Sequence, residues 1–307
     1  MEFIKKVKRF KMIKYKIDII CPLYKAEEYI ESLHKSILMQ KGNFFVSIKY
    51  VLTKSKGDGT ENLLNELNAI YSTIEPKDFS HSLTREKEAM NSNGDIIVFI
   101  TQDIIIKDEN WLSKLTEPII NGECEAAFSR QLCDNKSIER YTRINNYPED
   151  SRVVSKADID RLGIMTFFFS DASSATSTKI FKELNGYDGK NMPTNEDMYF
   201  AYKLINSGYR IKYCSDSQVI HCHDYKFSEL FNRYYTQGMF LKQNPYLMKY
   251  GANSSAFKML NLVVRESLKE GNFKAFFNII PNFSARFLGD KFGKSYEKKF
   301  FKKSSQK

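Results

Sequence analysis

The sequence of 307 residues is poor in cysteine and lacks any long apolar run. Its five cysteines form no Cys-x-x-Cys pair. An odd number of scattered cysteines is typical of buried thiols in a reducing compartment, rather than of a disulfide framework or a zinc site. No apolar stretch approaches the roughly 18 residues that a membrane-spanning helix requires, and the basic N-terminus is not followed by the apolar core of a signal peptide. We therefore expect a cytoplasmic protein.

What the sequence contains is the composition of an ordinary globular protein, with 42% hydrophobic and 27% charged residues. A chain of this length can bury one large core, with or without a helical appendage. The net charge of +10 is concentrated at the two ends, because residues 1–16 and 290–307 each carry seven basic side chains and at most two acidic ones. Basic ends on a neutral body favour contact with an anionic surface such as a membrane, and the alternative is that they only keep the protein soluble.

Strand and helix patterns alternate along the first half of the chain. The apolar runs predict strands, and the helical spacing of apolar residues predicts helices between them. The expected strands cover 16–21, 46–52, a short segment near Phe79, and 95–101, and the expected helices cover 26–40, 60–71 and 84–91. This order predicts an α/β fold with a mostly parallel central sheet that is covered by helices on both faces.

The second half of the chain gives weaker patterns until its helical end. Residues 128–150 show few periodic signals, and the aromatic run at 165–170 predicts a short strand. Small polar residues follow that run and would let a ligand approach the backbone. Further helices are expected at 196–207, 227–241, 255–268 and 273–287, with Pro281 interrupting the last. We divide the chain into a basic N-terminal segment (1–15), an α/β domain (16–241) and a helical, basic C-terminal extension (242–307).

Acidic residues and histidines collect where these elements begin or end. ITQD closes a predicted strand at Asp103, NEDM opens a helix with Glu196 and Asp197, and HCHDY follows a strand from His221. Ligands of open α/β folds bind at such an edge of the sheet. A carboxylate at Asp103 is either a turn residue or a ligand for a hard cation, Mg²⁺ or Mn²⁺, that also holds substrate phosphates.

The remaining polar residues of these segments, and Arg85, can each have either a structural or a functional role. Residues 221 and 223 should face opposite sides of a strand, so that only one of the two can join the site; we choose His223, as a metal ligand or a donor to phosphate, and take His221 as structural. Glu196 and Asp197 either favour the helix dipole or supply a general base. Arg85 is either a surface charge or a clamp on a diphosphate.

These motifs, in this order, resemble the family-2 inverting glycosyltransferases of the GT-A fold, a Rossmann-like fold of nucleotide-diphospho-sugar transferases, over residues 16 to about 240. Within that family the TQD motif, in place of the usual DxD, and the HCHDY segment point to the branch that uses dTDP-L-rhamnose. The matching stretches are IDIICPLYKAEEYI, DFSHSLTREKEAMNSNGDIIVFITQDIIIKDENWL, SRQLCDNKSIERYTRINNYPEDS, RLGIMTFFFSDASSA, LNGYD, NEDMYFAYKLINSGYRIKYCSDSQVIHCHDYKFSELFNRYYTQG and ARFLGDKFGK.

The resemblance implies roles for individual residues. Asp103 would bind the metal together with His223, and Asp197 would deprotonate the acceptor hydroxyl with support from Glu196. The nucleotide-sugar donor would be bound by Pro22, Leu23, Tyr24, Thr53, Arg85, Gln102 and Asp103. The acceptor side would be formed by Trp111 beside the sugar and by Asp171 and Ser173 in the loop at 170–174.

The implied reaction is an inverting transfer of L-rhamnose from dTDP-β-L-rhamnose to a saccharide hydroxyl in cell-surface polysaccharide synthesis. The acceptor would be carried on a polyprenyl diphosphate lipid at the inner face of the plasma membrane. One departure concerns the donor, since Thr53 stands where the family commonly has an Asp that binds the pyrimidine; Asp58 could partly substitute, and a UDP-hexose is the alternative donor.

The aromatic and basic C-terminal stretch either lies on an anionic membrane, with the protein peripheral to it, or packs on the α/β domain. A non-catalytic, basic surface-binding or nucleic-acid-binding module is the remote alternative. It would need basic and aromatic residues along one groove, whereas here the charge is confined to the ends, so nucleic acid is not an expected partner.

Overall fold

The computed structural model describes residues 14–251 and 255–296. Within these residues, one nine-stranded sheet organises the protein. Its strands are β1 (Tyr15–Leu23), β2 (Phe44–Thr53), β3 (Tyr71–Ile74), β4 (Ile96–Ile100), β5 (Ile105–Ile106), β6 (Ala126–Leu132), β7 (Arg152–Val154), β8 (Ser173–Ser177) and β9 (Ile211–Ile220).

Helices connect these strands and continue beyond the sheet. Those before β9 are α1 (Ile30–Leu38), α2 (Thr60–Glu66), α3 (His81–Met90), α4 (Trp111–Ile120), α5 (Ile138–Asn146), α6 (Ile159–Leu162), α7 (Thr178–Glu183) and α8 (Glu196–Asn206). Those after β9 are α9 (Phe227–Gln243), α10 (Pro245–Met248), α11 (Ser255–Lys269), α12 (Phe273–Phe277) and α13 (Ile279–Ser295).

The strand order is β3-β2-β1-β4-β8-β6-β9-β5, and β7 pairs with β9. Strands β1, β2, β3, β4, β6 and β9 run in one direction, and β5, β7 and β8 run in the other. The predicted α/β fold with a mostly parallel sheet is therefore confirmed. Because β8 is antiparallel to both neighbours, its first residue lies beside the end of β4, where Ser173 pairs with Ile100.

Apolar side chains of β4 fill both faces of the sheet, as its unbroken apolar sequence predicts. Ile96, Val98 and Ile100 lie in a cluster with α1 and α4, whereas Ile97 and Phe99 lie in a second cluster with α7 and α8. Burial on both faces fixes the carboxyl end of this strand, and with it the position of the residues that follow.

Several boundaries differ from the sequence prediction. The expected strand at 165–170 is wrong: Gly163–Phe167 is a 3₁₀ helix, and Phe167 and Phe169 bury their rings in the second cluster from a turn and a loop. The strand expected near Phe79 is also wrong, since β3 lies earlier, at Tyr71–Ile74, and the preceding helix ends at Glu66. The region 128–150, which showed few signals, contains most of β6 and all of α5.

The helical C-terminal extension packs on the α/β domain along α9. The two helices approach closely, because a Cβ added at Gly293 of α13 would lie 2.1 Å from the carbonyl oxygen of Tyr235 in α9. A buried ion pair of 2.5 Å joins Arg286 of α13 to Glu139 of α5. The helix expected at 273–287 is divided at Asn278 into α12 and α13, as the nearby proline predicted, and Pro281 lies in the first turn of α13, where its missing N–H costs little.

The predicted division of the chain at residue 242 stays a prediction, and α9 continues to Gln243. Most of the basic segment 1–15 and the lysines after Tyr296 lie outside the described residues. Across residues 14–251 and 255–296, none of the helices is both long enough and apolar enough to cross a membrane.

Candidate active site

The parallel strands β1, β4, β6 and β9 end at one edge of the sheet, and the antiparallel β8 begins at the same edge. The segments after β1, β4 and β9 and the loop before β8 therefore meet at this edge. Helix α8 begins beside them, because the amide nitrogen of Asp171 in this loop lies 3.4 Å from a carboxylate oxygen of Asp197. The sequence prediction that the three acidic segments meet near one sheet edge agrees with this arrangement.

Asp103, His221 and His223 form a cluster that can hold a metal ion. The carboxylate oxygen Oδ2 of Asp103 lies 3.4 Å from Nε2 of His221 and 3.8 Å from Nε2 of His223. The two Nε2 atoms are 2.9 Å apart. Ligand atoms about 2.1 Å from one ion and at right angles to each other are about 3 Å apart, so these spacings fit a single cation.

The protonation of this cluster also fits a cation. Nδ1 of His221 lies 2.9 Å from the amide oxygen of Gln131 and donates to it, which leaves the lone pair of Nε2 directed at the other two ligands. Burial, followed by the neighbouring His221, lowers the pKa of His223 to about 4, and burial also lowers the pKa of His221. Both rings are thus neutral at pH 7, as metal ligation requires.

Asp103 is ionised beside these rings. Burial would raise its pKa, but the neighbouring His221 and His223 lower the pKa of Asp103 well below its usual value. Three electron-pair donors therefore converge on one point. The two imidazoles and one carboxylate are a donor set for a first-row divalent metal.

The prediction that only one of the two histidines can join the site is wrong. It assumed strand alternation through residue 223, but β9 ends at Ile220, and the backbone beyond it has no strand geometry. Both rings turn to Asp103, and His223 stacks on Tyr225 with ring centroids 4.9 Å apart. His221 is therefore a site residue that the sequence analysis assigned to structure.

A cluster of three carboxyl groups lies at the start of α8. It comprises Asp171, Glu196 and Asp197, and Asn195 precedes it in the left-handed conformation with φ of 59°. Burial, followed by the charges of Glu196 and Asp171, raises the pKa of Asp197 well above its usual value. A raised pKa moves the proton exchange of this carboxyl group towards neutral pH, which is the direction that a general base requires.

Arg85 is the counter-charge of this cluster. It is buried, and its Nη1 donates to the carbonyl oxygen of His81 at 3.0 Å and to Glu196 at 3.3 Å. It is thus neither a surface charge nor, in this arrangement, an open clamp for a diphosphate. Its position under Glu196 holds the first turn of α8 in place.

A hydrogen-bond chain joins the metal-ligand cluster to the carboxyl cluster. Gln131 accepts from His221 and donates through its amide nitrogen to the Ser170 hydroxyl at 2.8 Å. The next residue, Asp171, donates its backbone N–H to Asp197 at 3.4 Å. Two side chains, those of Gln131 and Ser170, and one peptide therefore separate the two parts of the site.

The carboxylate of Asp171 is turned into the core. Its oxygens accept from Tyr187 at 2.6 Å and from Ser174 at 2.7 Å, and the side chain is buried. This differs from the expectation that Asp171 contacts an acceptor. Asp171 contacts Asp197 through its backbone N–H, and the hydrogen bond from Tyr187 holds the Asp171 side chain in the core.

Trp111 and Ser173 are buried rather than open to an acceptor, which differs from their expected place on the acceptor side. Both are fully buried, and the indole N–H of Trp111 donates to the hydroxyls of Ser129 and Ser173 at 3.1 Å each. They join α4 to β6 and β8 inside the protein. No pattern in the sequence indicates this burial, because a tryptophan at a helix start can lie either in the core or at a sugar site.

The expected nucleotide-binding residues lie at the ends of β1, β2 and β4. Gln102 forms two hydrogen bonds with the backbone of Tyr24, accepting from its N–H at 2.7 Å and donating to its carbonyl at 2.9 Å. Pro22 is partly exposed and Leu23 is buried, whereas the ring of Tyr24 is open to solvent. The buried hydroxyl of Thr53 has no hydrogen-bond partner among the described residues.

Asp58 does not take the place of the missing pyrimidine-binding acid. Its carboxylate accepts from the backbone N–H of Lys25 at 3.2 Å and from the hydroxyl of Thr60 at 2.5 Å. Both oxygens are committed to the turn before α2, as the lowered pKa of Asp58 also indicates, where hydrogen bonds from Thr60 and Lys25 outweigh burial.

Arg143 and Arg233 bring positive charge to the metal-ligand cluster. Both guanidinium groups are near enough to help lower the pKa of His221 and His223. Arg233 donates to the Tyr225 hydroxyl at 3.2 Å. Neither arginine was predicted as a site residue, although both lie in stretches that carry the family resemblance, because nothing in those stretches distinguishes them from other surface charges.

The fold is that of an α/β protein, and its site places a cluster that can hold a metal ion near a cluster of acids. The chain belongs to glycosyl transferase family 2, which matches residues 18–185. It is 31% identical to the O-antigen chain rhamnosyltransferase RfbN of Salmonella typhimurium over 92% of this chain and 90% of the relative. It is 31% identical to the O-antigen chain rhamnosyltransferase WbaN of Salmonella anatum over 80% of this chain and 79% of the relative. The protein is thus a glycosyltransferase, as the resemblance implied.

Solved structures agree on the fold. The mannosyltransferase PcManGT of Pyrobaculum calidifontis, in complex with GDP-Man and Mn²⁺, matches with a TM-score of 0.55 at 15% identity, over 89% of this chain and 74% of that chain. TarS 1-349 of S. aureus, in complex with UDP-GlcNAc, matches with a TM-score of 0.53 at 13% identity, over 91% and 92% of the two chains. The expected GT-A fold is confirmed.

Proposed function

We propose that this glycosyltransferase moves L-rhamnose from dTDP-β-L-rhamnose to a hydroxyl group of a saccharide, with inversion at the anomeric carbon, in the synthesis of a cell-surface polysaccharide. Similarity to two O-antigen chain rhamnosyltransferases, over 92% and 80% of the chain, supports the choice of sugar. The observation that carries the chemistry is the hydrogen-bond chain from His221 through Gln131 to the loop that meets Asp197.

Asp103, His221 and His223 would hold a divalent cation. When bound, the cation supplies positive charge that offsets the charge growing on the departing diphosphate. Imidazole nitrogens suit first-row transition metals better than Mg²⁺, which prefers oxygen ligands. Of the two expected ions we therefore propose Mn²⁺. Arg143 and Arg233 add fixed positive charge on the same side.

Asp197 would remove the proton of the attacking acceptor hydroxyl. A base is effective when its pKa lies near the working pH, and the raised pKa of Asp197 moves it in that direction. Glu196, held by Arg85, and the backbone amide of Asp171 would fix the position of the carboxylate. The acceptor would then approach between the carboxyl cluster and the donor.

The donor nucleotide would lie along the ends of β1, β2 and β4, against Pro22, Leu23 and Tyr24. Gln102 fixes the backbone of Tyr24, so it would shape this surface from behind. The Thr53 hydroxyl, buried without a partner, is available to a polar group of the base. The second candidate donor is a UDP-hexose. Its support is that Thr53 offers a hydroxyl where the family commonly has a carboxylate, and no other described residue favours it over dTDP-L-rhamnose.

The test is a donor panel with purified full-length protein. The protein is incubated with Mn²⁺ or Mg²⁺, a lipid-linked saccharide acceptor, and dTDP-L-rhamnose, UDP-glucose, UDP-galactose or GDP-mannose, and products are identified by mass. We expect a mass increase of one deoxyhexose with dTDP-L-rhamnose alone, and faster transfer with Mn²⁺. Transfer of a hexose from a UDP-sugar, with none from dTDP-L-rhamnose, would refute the proposed donor and support the second candidate.

A further inference from the structure

The outer side of α12 and α13 is apolar and exposed, although the opposite side of α13 packs on the protein. Phe277 and Ile280 are 75% and 77% exposed, and Phe287 is 59% exposed. The residues of this C-terminal apolar face are Phe273, Phe277, Ile280, Phe287, Leu288 and Phe292. Their exposure runs from 39% at Leu288 to 77% at Ile280, and an exposed apolar surface of this kind marks an interaction site.

Basic residues accompany this apolar face. Lys274 and Lys291 are exposed on the same two helices, and the Lys291 ammonium lies over the Phe287 ring, 5.1 Å from its centroid. The sequence that follows Tyr296 adds five lysines and two phenylalanines in eleven residues, EKKFFKKSSQK. Helices that lie in the headgroup region of a bilayer are rich in Phe and Leu on one face and in Lys and Arg on the other.

We propose that the C-terminal apolar face docks the protein on an anionic phospholipid surface. Its charge is complementary to such a surface, because each lysine near anionic headgroups adds attraction. The same charge disfavours a second copy of the chain as occupant, since two copies face to face would bring their lysines together.

The face lies next to the active site. Lys274 of α12 forms an ion pair of 3.4 Å with Asp224, the residue after His223. Phe292 of α13 lies near Phe231 of α9, with ring centroids 6.1 Å apart. A membrane held by this face would therefore present a lipid-linked saccharide beside the metal-ligand cluster; this consequence rests on the proposed function, whereas the docking itself does not.

The test compares two triple variants of the full chain in co-sedimentation with vesicles. One combines Phe277→Ser, Ile280→Ser and Phe287→Ser. The matched control combines Leu38→Ser, Phe45→Ser and Ile70→Ser, which are 66%, 58% and 67% exposed on other surfaces. The vesicles contain phosphatidylglycerol and phosphatidylethanolamine, and phosphatidylcholine vesicles serve as the neutral reference.

We expect the wild type and the control to bind anionic vesicles, and the apolar-face variant to bind at least about tenfold more weakly. Lys291→Gln should weaken binding about fivefold, from roughly 1 kcal/mol per basic residue. Circular dichroism and transfer to a soluble saccharide should be unchanged in all variants, because the substituted side chains are exposed and none of them belongs to the metal-ligand cluster or the carboxyl cluster.

Equal vesicle binding by the apolar-face variant and the wild type would overturn the proposal. A second result would also overturn it. In that result the wild type is a dimer in sedimentation equilibrium, the apolar-face variant is a monomer, and neither binds vesicles. Failure of the donor panel with intact, face-dependent vesicle binding would instead count against the proposed function alone.

Discussion

Replacing Asp197 by Asn should abolish catalysis and at the same time stabilise the protein. The change removes the proposed base and keeps the shape of the side chain. Without a base to accept the acceptor proton, we expect the rate of transfer to fall by about 10²- to 10⁴-fold. Donor binding should persist, since Asp197 contacts Asp171 and Met198 rather than the nucleotide side of the site.

The stability gain follows from the raised pKa of Asp197, which burial and the charges of Glu196 and Asp171 produce. A carboxyl group whose pKa is higher in the folded than in the unfolded state costs stability once the pH exceeds its unfolded value, by about 1.4 kcal/mol for each unit of difference. Below the unfolded pKa both states are protonated and the cost vanishes. The advantage of Asn over Asp should therefore grow as pH rises from about 4 towards neutral.

The assay is thermal unfolding of both proteins across this pH range, combined with single-turnover transfer. A gain of about 1 kcal/mol is typical when a strained functional residue is removed, and it corresponds to about 2 °C in a protein of this size. Asp188→Asn is the opposite control, since Lys203 pairs with Asp188 at 2.6 Å and its pKa is lowered despite partial burial. That change should destabilise the protein at neutral pH and leave the chemistry in place.

Two results would refute this reasoning. Transfer by the Asp197→Asn variant at the wild-type rate would remove Asp197 from the role of base. A variant that is less stable than the wild type at neutral pH, with the difference growing as pH rises, would show that the carboxylate stabilises the fold, contrary to the charge arrangement described above.

The remaining predictions concern the connections around the site. Gln131→Leu should weaken Mn²⁺ binding by about 10- to 100-fold, because His221 loses the partner that orients it, and isothermal titration with Mn²⁺ measures this; unchanged affinity would contradict the assigned orientation. Trp111→Phe should lower the free energy of unfolding by about 1–3 kcal/mol, since Ser129 and Ser173 lose a buried donor, and should leave the donor KM unchanged. If the Trp111→Phe variant had a raised donor KM and unchanged stability, Trp111 would instead contact the sugar of the donor.

The sequence predicted best where one physical requirement determined the residues. A strand buried on both faces must be apolar throughout, so β4 was recognisable, and with it the position of Asp103 shortly after the end of a strand. β1 was recognisable because it is apolar except at Lys16 and Asp18. By contrast, β6 carries Ser129, Arg130 and Gln131 in its centre, because these side chains serve the site and its supports. Their polarity removed the apolar pattern of a strand.

The errors in the candidate site have a common cause. Local spacing cannot show where a strand ends, and so the turn that brings His221 and His223 together was not visible. Nor does it show which side chains tertiary packing will bury, as with Trp111 and Asp171. The assignment of Asp197 depended on its motif and its place at a helix start, and both of these are local properties.

The link through Gln131 makes the two halves of the site thermodynamically dependent on each other. Suppose that a metal ion bound by His221 and His223 orders the loop that meets α8, and that a bound saccharide orders the same loop. Each ligand then raises the affinity for the other, and linkage requires that the two affinities rise by the same factor. Affinities measured for either species alone would then understate those in the ternary assembly.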